Sequence, residues 1–536
     1  MRAPVSKALM LATVLAVAVT LGGCGCGCGC GYGPGRGTAS STVAGRADLD
    51  PDASLVVATV AVPTGFDPHR ERTGGERPYS FPVFDRLTTM VTGGKIEPML
   101  AVSWETAPDA MSMRMTLREG VRFHDGTAFD AEAVRVNIDR ARTLPDSTVK
   151  TFLSIVDRVE VTGPLEVVFH YTAPTPDLVT VLAGPAGAVI SPGALADPNR
   201  DLRVGLGDAG TGPYLVERFV PSQSVSYVRA PQPNWDPEAG KLAHLEIRFV
   251  ADDRTRDSAV RAGEVDIAYV NGVVAQSVRQ AQLAAQGSTL DLVERPTNVL
   301  AGLWLRPDRL AAPRVREALV RGIDRDAIAD GYYQGTCARS AQMSREGFAG
   351  HVEGFVDPYP YDPHRARQLL AEAGAAEPLD FELTYAAGRE ALPVISADNL
   401  AGAGVRTELR PATSIEAITA YRTSQTDSFM YAVNPMGTLA DTVRWIQSSG
   451  GLGYQDPALV RLADRTTQAV DDAQRESATR DLVTAVAETA PFVPICHYNA
   501  YFLVASDVVG FGDALNGESQ YMMDLRSVGR VAEDAR

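Results

Sequence analysis

Apolar and polar residues alternate along residues 111–117, which is typical of a half-buried β-strand. Residues 124–127, His-Asp-Gly-Thr, then predict a turn, because an Asp-Gly pair favours tight turns. Asp130 stands where a helix N-cap belongs, and apolar residues follow it at helical spacing, namely Val134, Ile138 and Ala141. The stretch 96–142 is therefore predicted to form a compact strand–turn–helix unit.

The same two periodicities recur along the rest of the chain. Strand-like runs and hairpins are predicted at residues 55–62, 159–171, 215–228, 243–250, 264–268, 299–305, 428–433 and 491–495. Capping residues or an N1 proline predict helix starts at Thr255, Pro313, Asp362, Asp456 and Asp471. The chain therefore mixes strands and helices from end to end.

Length and charge narrow the class of protein. A chain of 536 residues exceeds one compact domain, so two or three lobes are expected. The formal net charge of −16 opposes binding to nucleic acid or to an anionic membrane surface. We therefore expect no nucleic-acid partner.

The N-terminus has the pattern of an export signal. Arg2 and Lys7 precede an apolar run at residues 8–21, which is short for a membrane span. The run ends in Leu-Gly-Gly-Cys, which resembles the bacterial lipobox and implies cleavage before Cys24 and a diacylglyceryl group on its sulfur. The alternative is an ordinary secretory signal with a chance cysteine. Alternating Gly and Cys at residues 25–30 then predict a flexible tether, and they lack the spacing of a zinc site.

Several longer phrases carry a family resemblance. They are Ile-Glu-Pro-Met-Leu-Ala-Val-Ser-Trp-Glu at 96–105, Leu-Arg-Glu-Gly-Val-Arg-Phe-His-Asp-Gly at 117–126, Gly-Thr-Gly-Pro-Tyr at 210–214, Gly-Glu-Val-Asp-Ile-Ala at 263–268 and Tyr-Asp-Pro-His-Arg-Ala-Arg-Gln-Leu-Leu-Ala-Glu-Ala-Gly at 361–374. In order and wording they resemble the family 5 extracellular solute-binding proteins of ABC importers, which include oligopeptide-, dipeptide- and nickel-binding proteins. The resemblance covers about residues 53–515.

The resemblance implies an α/β, type II (class C) periplasmic-binding-protein-like fold, with two main lobes joined by a hinge and an extra subdomain. The expected division is signal peptide 1–23, tether 24–52, lobe I at 53–92 with 211–303 and 497–536, extra subdomain 93–210, and lobe II at 304–496. It also implies a helix over residues 79–90 whose Phe84, Leu87 and Met90 face the core.

The function implied is that of a lipid-anchored binding protein on the outer face of the cell membrane. It would capture a peptide-like solute in a cleft between its lobes and deliver it to an ABC permease with its ATPase. We expect a monomer without cofactor or metal. A nickel chelate or an oligosaccharide is an alternative solute, and an exported hydrolase or amidase is an alternative function.

Candidate ligand-binding residues follow from loops where the family holds its ligand. They are Phe66, Trp304, Tyr431, Asn434, Met436, Asp441 and Trp445. Asp441 is either an anchor for a ligand ammonium group or a capping or surface residue, and Thr442 follows it where relatives carry proline. Core packing is the stronger expectation for Trp304. His69 is a weaker candidate, for which we favour an exposed loop.

Motifs for catalysis are not found. The sequence has no G-x-S-x-G, H-E-x-x-H or phosphate-loop pattern, and its seven histidines show no pair at i,i+3 or i,i+4. A hydrolase would therefore need a nucleophile and base that no motif displays. Cys337 and Cys496 can pair or remain two buried thiols, and nothing in the sequence favours the disulfide.

Overall fold

A computed structural model describes most of the chain. It covers residues 48–533 with the exception of 64, 72–74, 92–93, 176, 205–207, 285–288, 376, 388–389, 434–437, 448–451, 454, 470 and 516–520. The predicted signal peptide, Cys24 and most of the tether lie outside the described residues.

The strands are β1 (Ser54–Thr59), β2 (Thr88–Met90), β3 (Ile96–Pro98), β4 (Ala101–Thr106), β5 (Ser112–Leu117), β6 (Val156–Gly163), β7 (Glu166–Tyr171), β8 (Tyr214–Val220), β9 (Ser224–Arg229), β10 (His244–Phe249), β11 (Ile267–Val270), β12 (Leu290–Leu305), β13 (Cys337–Arg339), β14 (Leu379–Ala386), β15 (Val405–Ala412), β16 (Ser428–Val433), β17 (Phe492–Ala505), β18 (Val508–Val509) and β19 (Gly529–Arg530).

The α-helices are α1 (Arg77–Ser80), α2 (Ala131–Thr143), α3 (Leu178–Val181), α4 (Pro192–Ala196), α5 (Asp253–Arg261), α6 (Gly272–Ala284), α7 (Pro313–Arg321), α8 (Pro363–Glu372), α9 (Ala391–Gly402), α10 (Ser414–Arg422), α11 (Leu439–Gln447), α12 (Pro457–Gln468) and α13 (Asp472–Thr489). Within the described part of the chain, none of them combines the length and the hydropathy that a membrane span needs.

One large sheet runs through the described residues in the order β15-β14-β16-β12-β17-β11-β1-β10-β9-β8, with β13 added beside β17. β1 is parallel to both of its neighbours, whereas β12 is antiparallel to β16 and to β17. A second sheet has the order β4-β5-β7-β6 and is antiparallel throughout. The strands β12 and β17 are the longest, and each supplies residues to several of the cores described next.

Separate hydrophobic cores form along the large sheet and around the small one. The first core packs one face of β1 and β8–β11 against residues 500–528, and α5 and α6 cover the opposite face. Val57 and Ala58 show the alternation, because these neighbours on β1 point into the two different cores. A further core lies within residues 87–189, and two more lie within residues 300–496. The division into lobes and subdomain given above remains a prediction.

The strand–turn–helix unit forms as its pattern predicts. The β5 strand has Met113, Met115 and Leu117 buried on one side. Gly126 turns the chain with φ +85°, a conformation that favours glycine. Asp130 caps α2 by accepting a hydrogen bond from the Ala133 amide at 2.9 Å, and this bond satisfies a free N–H at the helix start.

Two expected helix positions are corrected by the structure. The helix expected over residues 79–90 is wrong, because α1 ends at Ser80 and residues 88–90 form β2. Pro82 explains the break, since a proline disfavours helical backbone in the residue before it and lacks an amide donor. The cap of α5 is Asp252 and not Thr255, because the Asp252 carboxylate accepts the Thr255 amide at 2.8 Å.

The structure joins Cys337 and Cys496 in a disulfide with a Cα–Cα distance of 5.6 Å. The sequence alone did not favour this pair over two thiols. The two residues are 159 positions apart, and only the pairing of β13 with β17 brings them together. Both residues are buried, so the disulfide fixes β13 to the middle of the large sheet.

Candidate functional site

A cavity of about 280 Å³ lies beside α11, α12 and α13. This volume is just below the roughly 300–1,000 Å³ that small-molecule sites occupy. The lining residues come from distant parts of the chain: Met90, Gly94, Asp177, Thr180, Asn298, Phe348, Ala349, Gly350, Thr438, Leu439, Thr466, Thr467, Arg475 and Thr479. A volume of this size suits a small ligand.

Hydroxyl groups dominate the polar part of the wall. Five threonines line the cavity: Thr180, Thr438, Thr466, Thr467 and Thr479. The hydroxyls of Thr466 and Thr467 donate to carbonyls of α12 at 3.1 Å. The Thr467 hydroxyl also accepts from Arg444 at 2.6 Å, so Thr466 keeps more acceptor capacity for a ligand. Met90, Phe348 and Leu439 supply the apolar part. The wall can therefore offer both contact area and neutral hydrogen bonds.

A pair of opposite charges faces the cavity. Arg475, near the start of α13, places its Nε 3.7 Å from Oδ2 of Asp177, which precedes α3. Arg475 Nη1 also donates to Asp472 at 2.9 Å. The Nε atom itself is buried and has no hydrogen-bond partner among the residues that the structure describes. A ligand oxygen near this nitrogen would satisfy it.

Negative charge accumulates on the same side. Burial raises the pKa of the Asp177 carboxyl from its ordinary value, and the Arg475 guanidinium opposes this rise. The carboxylates of Asp441 and Asp472 raise the pKa further, which places both within electrostatic reach of Asp177. A positively charged ligand group would relieve this repulsion.

Asp441 is held by the start of its own helix. Its Oδ2 accepts the Thr438 hydroxyl at 2.8 Å and the Thr438 amide at 3.1 Å, while the Thr438 hydroxyl accepts the Asp441 amide at 3.2 Å. This reciprocal arrangement is a capping box. The other carboxylate oxygen lies 3.4 Å from Arg444. Asp441 is thus a capping residue beside the cavity wall formed by Thr438 and Leu439.

Two of the residues expected to bind ligand lie in cores instead. Phe66 is 1% exposed and packs edge-on against Phe219 with ring centroids 5.1 Å apart. Trp304 is 1% exposed and packs on Phe492 at 4.0 Å. The core packing expected for Trp304 is thus seen, and Phe66 is buried in the same way. A role of either residue in ligand binding stays a prediction.

Tyr431 and Trp445 are not among the described residues that line the cavity. Tyr431 is on β16 and stacks on Phe429 at 5.1 Å, and Trp445 on α11 is partly buried against the same core. Asn434 and Met436 lie outside the described residues. The roles proposed for these residues in binding therefore stay predictions.

The expected exposed loop at His69 is wrong. The side chain is fully buried, its Nε2 donates to the Ala188 carbonyl at 3.3 Å, and its Nδ1 accepts from Arg140 at 2.8 Å. Arg140 also forms an ion pair with the buried Asp67, which Arg70 contacts as well. His69 is therefore part of a buried polar cluster.

The cavity residues on α12 and α13 were not identified from the sequence. Arg475 and Thr479 are spaced i,i+4 on α13, which puts them on one helix face. This spacing is a weak signal, since many surface helices show it. In the described part of the chain no group of three or more His, Cys, Asp or Glu side chains is arranged to hold a metal ion.

A family model described as bacterial extracellular solute-binding proteins, family 5 middle, matches residues 95–453. The chain belongs to this family. The resemblance seen in the sequence phrases is thereby confirmed, and the family consists of solute-binding proteins rather than enzymes.

Curated relatives of this family 5 chain include the glutathione-binding protein GsiB of Salmonella paratyphi A, which is 32% identical over 284 residues. The match covers 52% of this chain and 53% of that protein. The GsiB protein of Pectobacterium atrosepticum is 30% identical over 335 residues, with 60% and 61% covered. The chain thus spans about half the length of the first of these relatives.

Solved structures show the same fold. NikA from Brucella suis, in complex with Fe(III)-EDTA, has a TM-score of 0.77 at 20% identity and covers 89% of this chain and 100% of its own. DppA from Helicobacter pylori, in complex with the peptide STSA, has a TM-score of 0.76 at 18% identity, with 90% and 98% covered. These likenesses confirm the type II periplasmic-binding-protein fold.

Proposed function

We propose that this family 5 protein captures a small peptide-like solute, with both an ammonium and a carboxylate group, in the cavity at α11–α13. It then delivers the solute to an ABC permease with its ATPase. The observation that carries the proposal is the buried Arg475 Nε without a described hydrogen-bond partner, next to Asp177. Asp441 in turn acts electrostatically on Asp177.

The charges suit the two ends of such a solute. A guanidinium pairs strongly with a carboxylate through parallel hydrogen bonds. The Nε of Arg475 lies 3.7 Å from Oδ2 of Asp177, which is too far for a hydrogen bond, so this nitrogen can donate to a ligand carboxylate. An ammonium group would lie near Asp177 and Asp441, where it offsets their mutual repulsion. The threonine hydroxyls would bind the peptide groups between these ends.

The comparisons support this class of solute. The curated relatives are named for binding glutathione, which is itself a tripeptide, and one structural neighbour holds the peptide STSA. The small volume of the cavity is in line with a tripeptide.

We also propose that Cys24 carries the lipid that holds the protein at the outer face of the cell membrane, where it acts as a monomer. Mass spectrometry of the N-terminal peptide should find a diacylglyceryl group on Cys24. The variant Cys24→Ser should move the protein from the membrane fraction to the soluble fraction. An unmodified Cys24 would leave an ordinary secretory signal as the explanation.

Thermal unfolding of the full chain with candidate ligands tests the solute. The probes are glutathione, the tetrapeptide Ser-Thr-Ser-Ala, the nickel complex of L-histidine and maltotriose. A ligand at 100 times its Kd should stabilise the fold by about 2.7 kcal/mol. A shift by the nickel complex or maltotriose alone would refute the peptide assignment, and conversion of a probe into product would refute the binding role.

Two variants test the site. Arg475→Gln and Asp441→Asn should each weaken binding of the active peptide by about tenfold or more, since each removes a charge-assisted hydrogen bond. Arg480→Gln is the matched control, because Arg480 is exposed on the same helix and contacts only Glu476 among described side chains. Equal affinity of Arg475→Gln and the control would refute the role of Arg475.

A further inference from the structure

The large sheet is interrupted where its two longest strands pair. β12 and β17 are in register up to Pro296 opposite Asn499, and pairing resumes at Leu300 opposite His497. Residues before the interruption pack into the first core and its opposite face, and residues after it pack into the cores within residues 300–496. A relative motion of these parts of the sheet would bend the strands here.

A loop between β13 and Val352 connects this interruption to the cavity. Gln342 closes the loop, since its side chain donates to the Val352 carbonyl at 3.1 Å and accepts the Val352 amide at 3.0 Å. The disulfide holds Cys337, at the start of β13, to β17. The tip of the loop, residues 348–350, lines the cavity. The 342–352 loop is thus fixed at its base and lines the cavity with its tip.

Arg345 lies within this loop and contacts both interrupted strands. Its backbone amide donates to Asn298 Oδ1 at 2.8 Å. Its guanidinium donates to Asn499 Oδ1, and the same Nη1 lies 3.4 Å from the Thr297 carbonyl and 3.5 Å from the Tyr498 carbonyl. One side chain therefore bonds to β12 and β17 at the point where their own ladder is broken.

The contact continues beyond the strands. Asn499 donates to Glu294 Oε1 at 2.7 Å, and Glu294 is in turn paired with Arg279 on α6. Tyr501 donates to the same Glu294 oxygen at 3.1 Å. A polar chain thus runs from the 342–352 loop, through both interrupted strands, to the helix that covers the first part of the sheet.

We propose that Arg345 is a positioning residue that couples occupancy of the cavity to bending at the interruption of β12 and β17. A ligand that holds the loop tip would also hold Arg345 on Asn298 and Asn499, and so would favour one arrangement of the two parts of the sheet. The ligand in this inference rests on the proposed function, whereas the contact of Arg345 with the interrupted strands does not.

Hydrogen exchange of the full chain, followed by mass spectrometry, tests the inference without any ligand. In Arg345→Ala, peptides covering residues 296–301 and 497–500 should exchange about tenfold faster, as expected when a charge-assisted hydrogen bond is lost. Peptides from β5 should not change. Arg345→Lys keeps the charge and one donor, so it should restore part of the protection.

Arg339→Ala is the matched control. Arg339 is in β13, is 66% exposed and pairs with Asp326, so its loss removes the same charge from the same segment without contacting β12. Its exchange should equal that of the wild type. Unchanged exchange at the interruption in Arg345→Ala, or equally faster exchange in β5, would overturn the proposal, the second because it shows general destabilisation.

A second arm adds glutathione or Ser-Thr-Ser-Ala, whichever binds. The ligand should slow exchange at residues 296–301 in the wild type, and this slowing should be lost in Arg345→Ala together with about a tenfold loss of affinity. Retention of the slowing would overturn the coupling. If no probe binds the wild type, the proposed function fails, and the first arm still decides the role of Arg345.

Discussion

His69 should make the folded chain sensitive to mild acid. Burial, and then the adjacent Arg140 guanidinium, lower the pKa of His69 to about 4 from an ordinary 6.5. The contacts explain the direction, because the lone pair of Nδ1 accepts the Arg140 N–H at 2.8 Å. A proton on Nδ1 would break this hydrogen bond and place two cations side by side without water.

The size of the effect follows from the two pKa values. Between pH 6.5 and pH 4 the unfolded chain binds a proton on His69 that the folded chain does not bind. The free energy of unfolding therefore falls as the pH falls through this range. A difference of about 2.5 between the unfolded and folded pKa values corresponds to about 3 kcal/mol in the free energy of unfolding. This stabilisation is complete above pH 6.5 and lost near pH 4.

Urea unfolding at pH 7, 6 and 5 measures how the free energy of unfolding depends on pH. The wild type is compared with the variant His69→Gln. Glutamine can donate to Ala188 and accept from Arg140 but cannot bind the proton. Between pH 7 and pH 5, the free energy of unfolding of the variant should fall by about 2 kcal/mol less than that of the wild type. The exposed His364→Gln should behave as the wild type does. His497, whose pKa burial lowers to about 3, contributes equally to all three proteins. Equal losses in His69→Gln and the wild type would refute the reasoning.

Two further predictions concern buried contacts. Asp85 is fully buried and forms an ion pair with Arg526 at 2.8 Å, so Asp85→Asn should lower the free energy of unfolding by about 3 kcal/mol in denaturant titrations. The loss is at the lower end for a broken buried ion pair, because Asp524 and Asp236 also act on Arg526. An unchanged midpoint would contradict this. Gly350→Ala should lower the free energy of unfolding by about 1–3 kcal/mol, since the new Cβ would lie 2.8 Å from Leu439 Cβ in the cavity wall. It should also weaken binding of whichever peptide probe binds the wild type. Gly347→Ala is the control, because Gly347 has a similar positive φ and no atom within 4 Å of such a Cβ. Equal effects of the two glycine variants would show that strain and not the contact is responsible.

The features that the sequence predicted well depend on residues close together in the chain. Asp130, Pro313 and Asp362 begin α2, α7 and α8 as expected, because a cap acts on amides within one turn of itself. The family phrases predicted the fold for a related reason, since each marks a local element whose order along the chain is characteristic.

The features that it missed depend on long-range packing. Asp177 and Arg475 meet across 298 positions of sequence, and Cys337 and Cys496 across 159. A histidine after an Asp-Pro pair is typical of an exposed loop. The burial of His69 depends on its contacts with Arg140 and Ala188, which are distant in the sequence. The cavity could not be derived from local patterns, because its lining residues range from Met90 to Thr479 along the chain.

The interruption in the pairing of β12 and β17 has both a local and a long-range cause. Pro296 is visible in the sequence and lacks the amide that a strand needs, so a break in the ladder near it has a local cause. The replacement partners are distant, because the Thr297 hydroxyl donates to the Tyr498 carbonyl at 2.7 Å and Arg345 reaches Asn499. Side-chain hydrogen bonds of this kind can rearrange without breaking the ladder on either side. The proline thus supplies the break, and the loop that faces the cavity supplies the bonds that hold it.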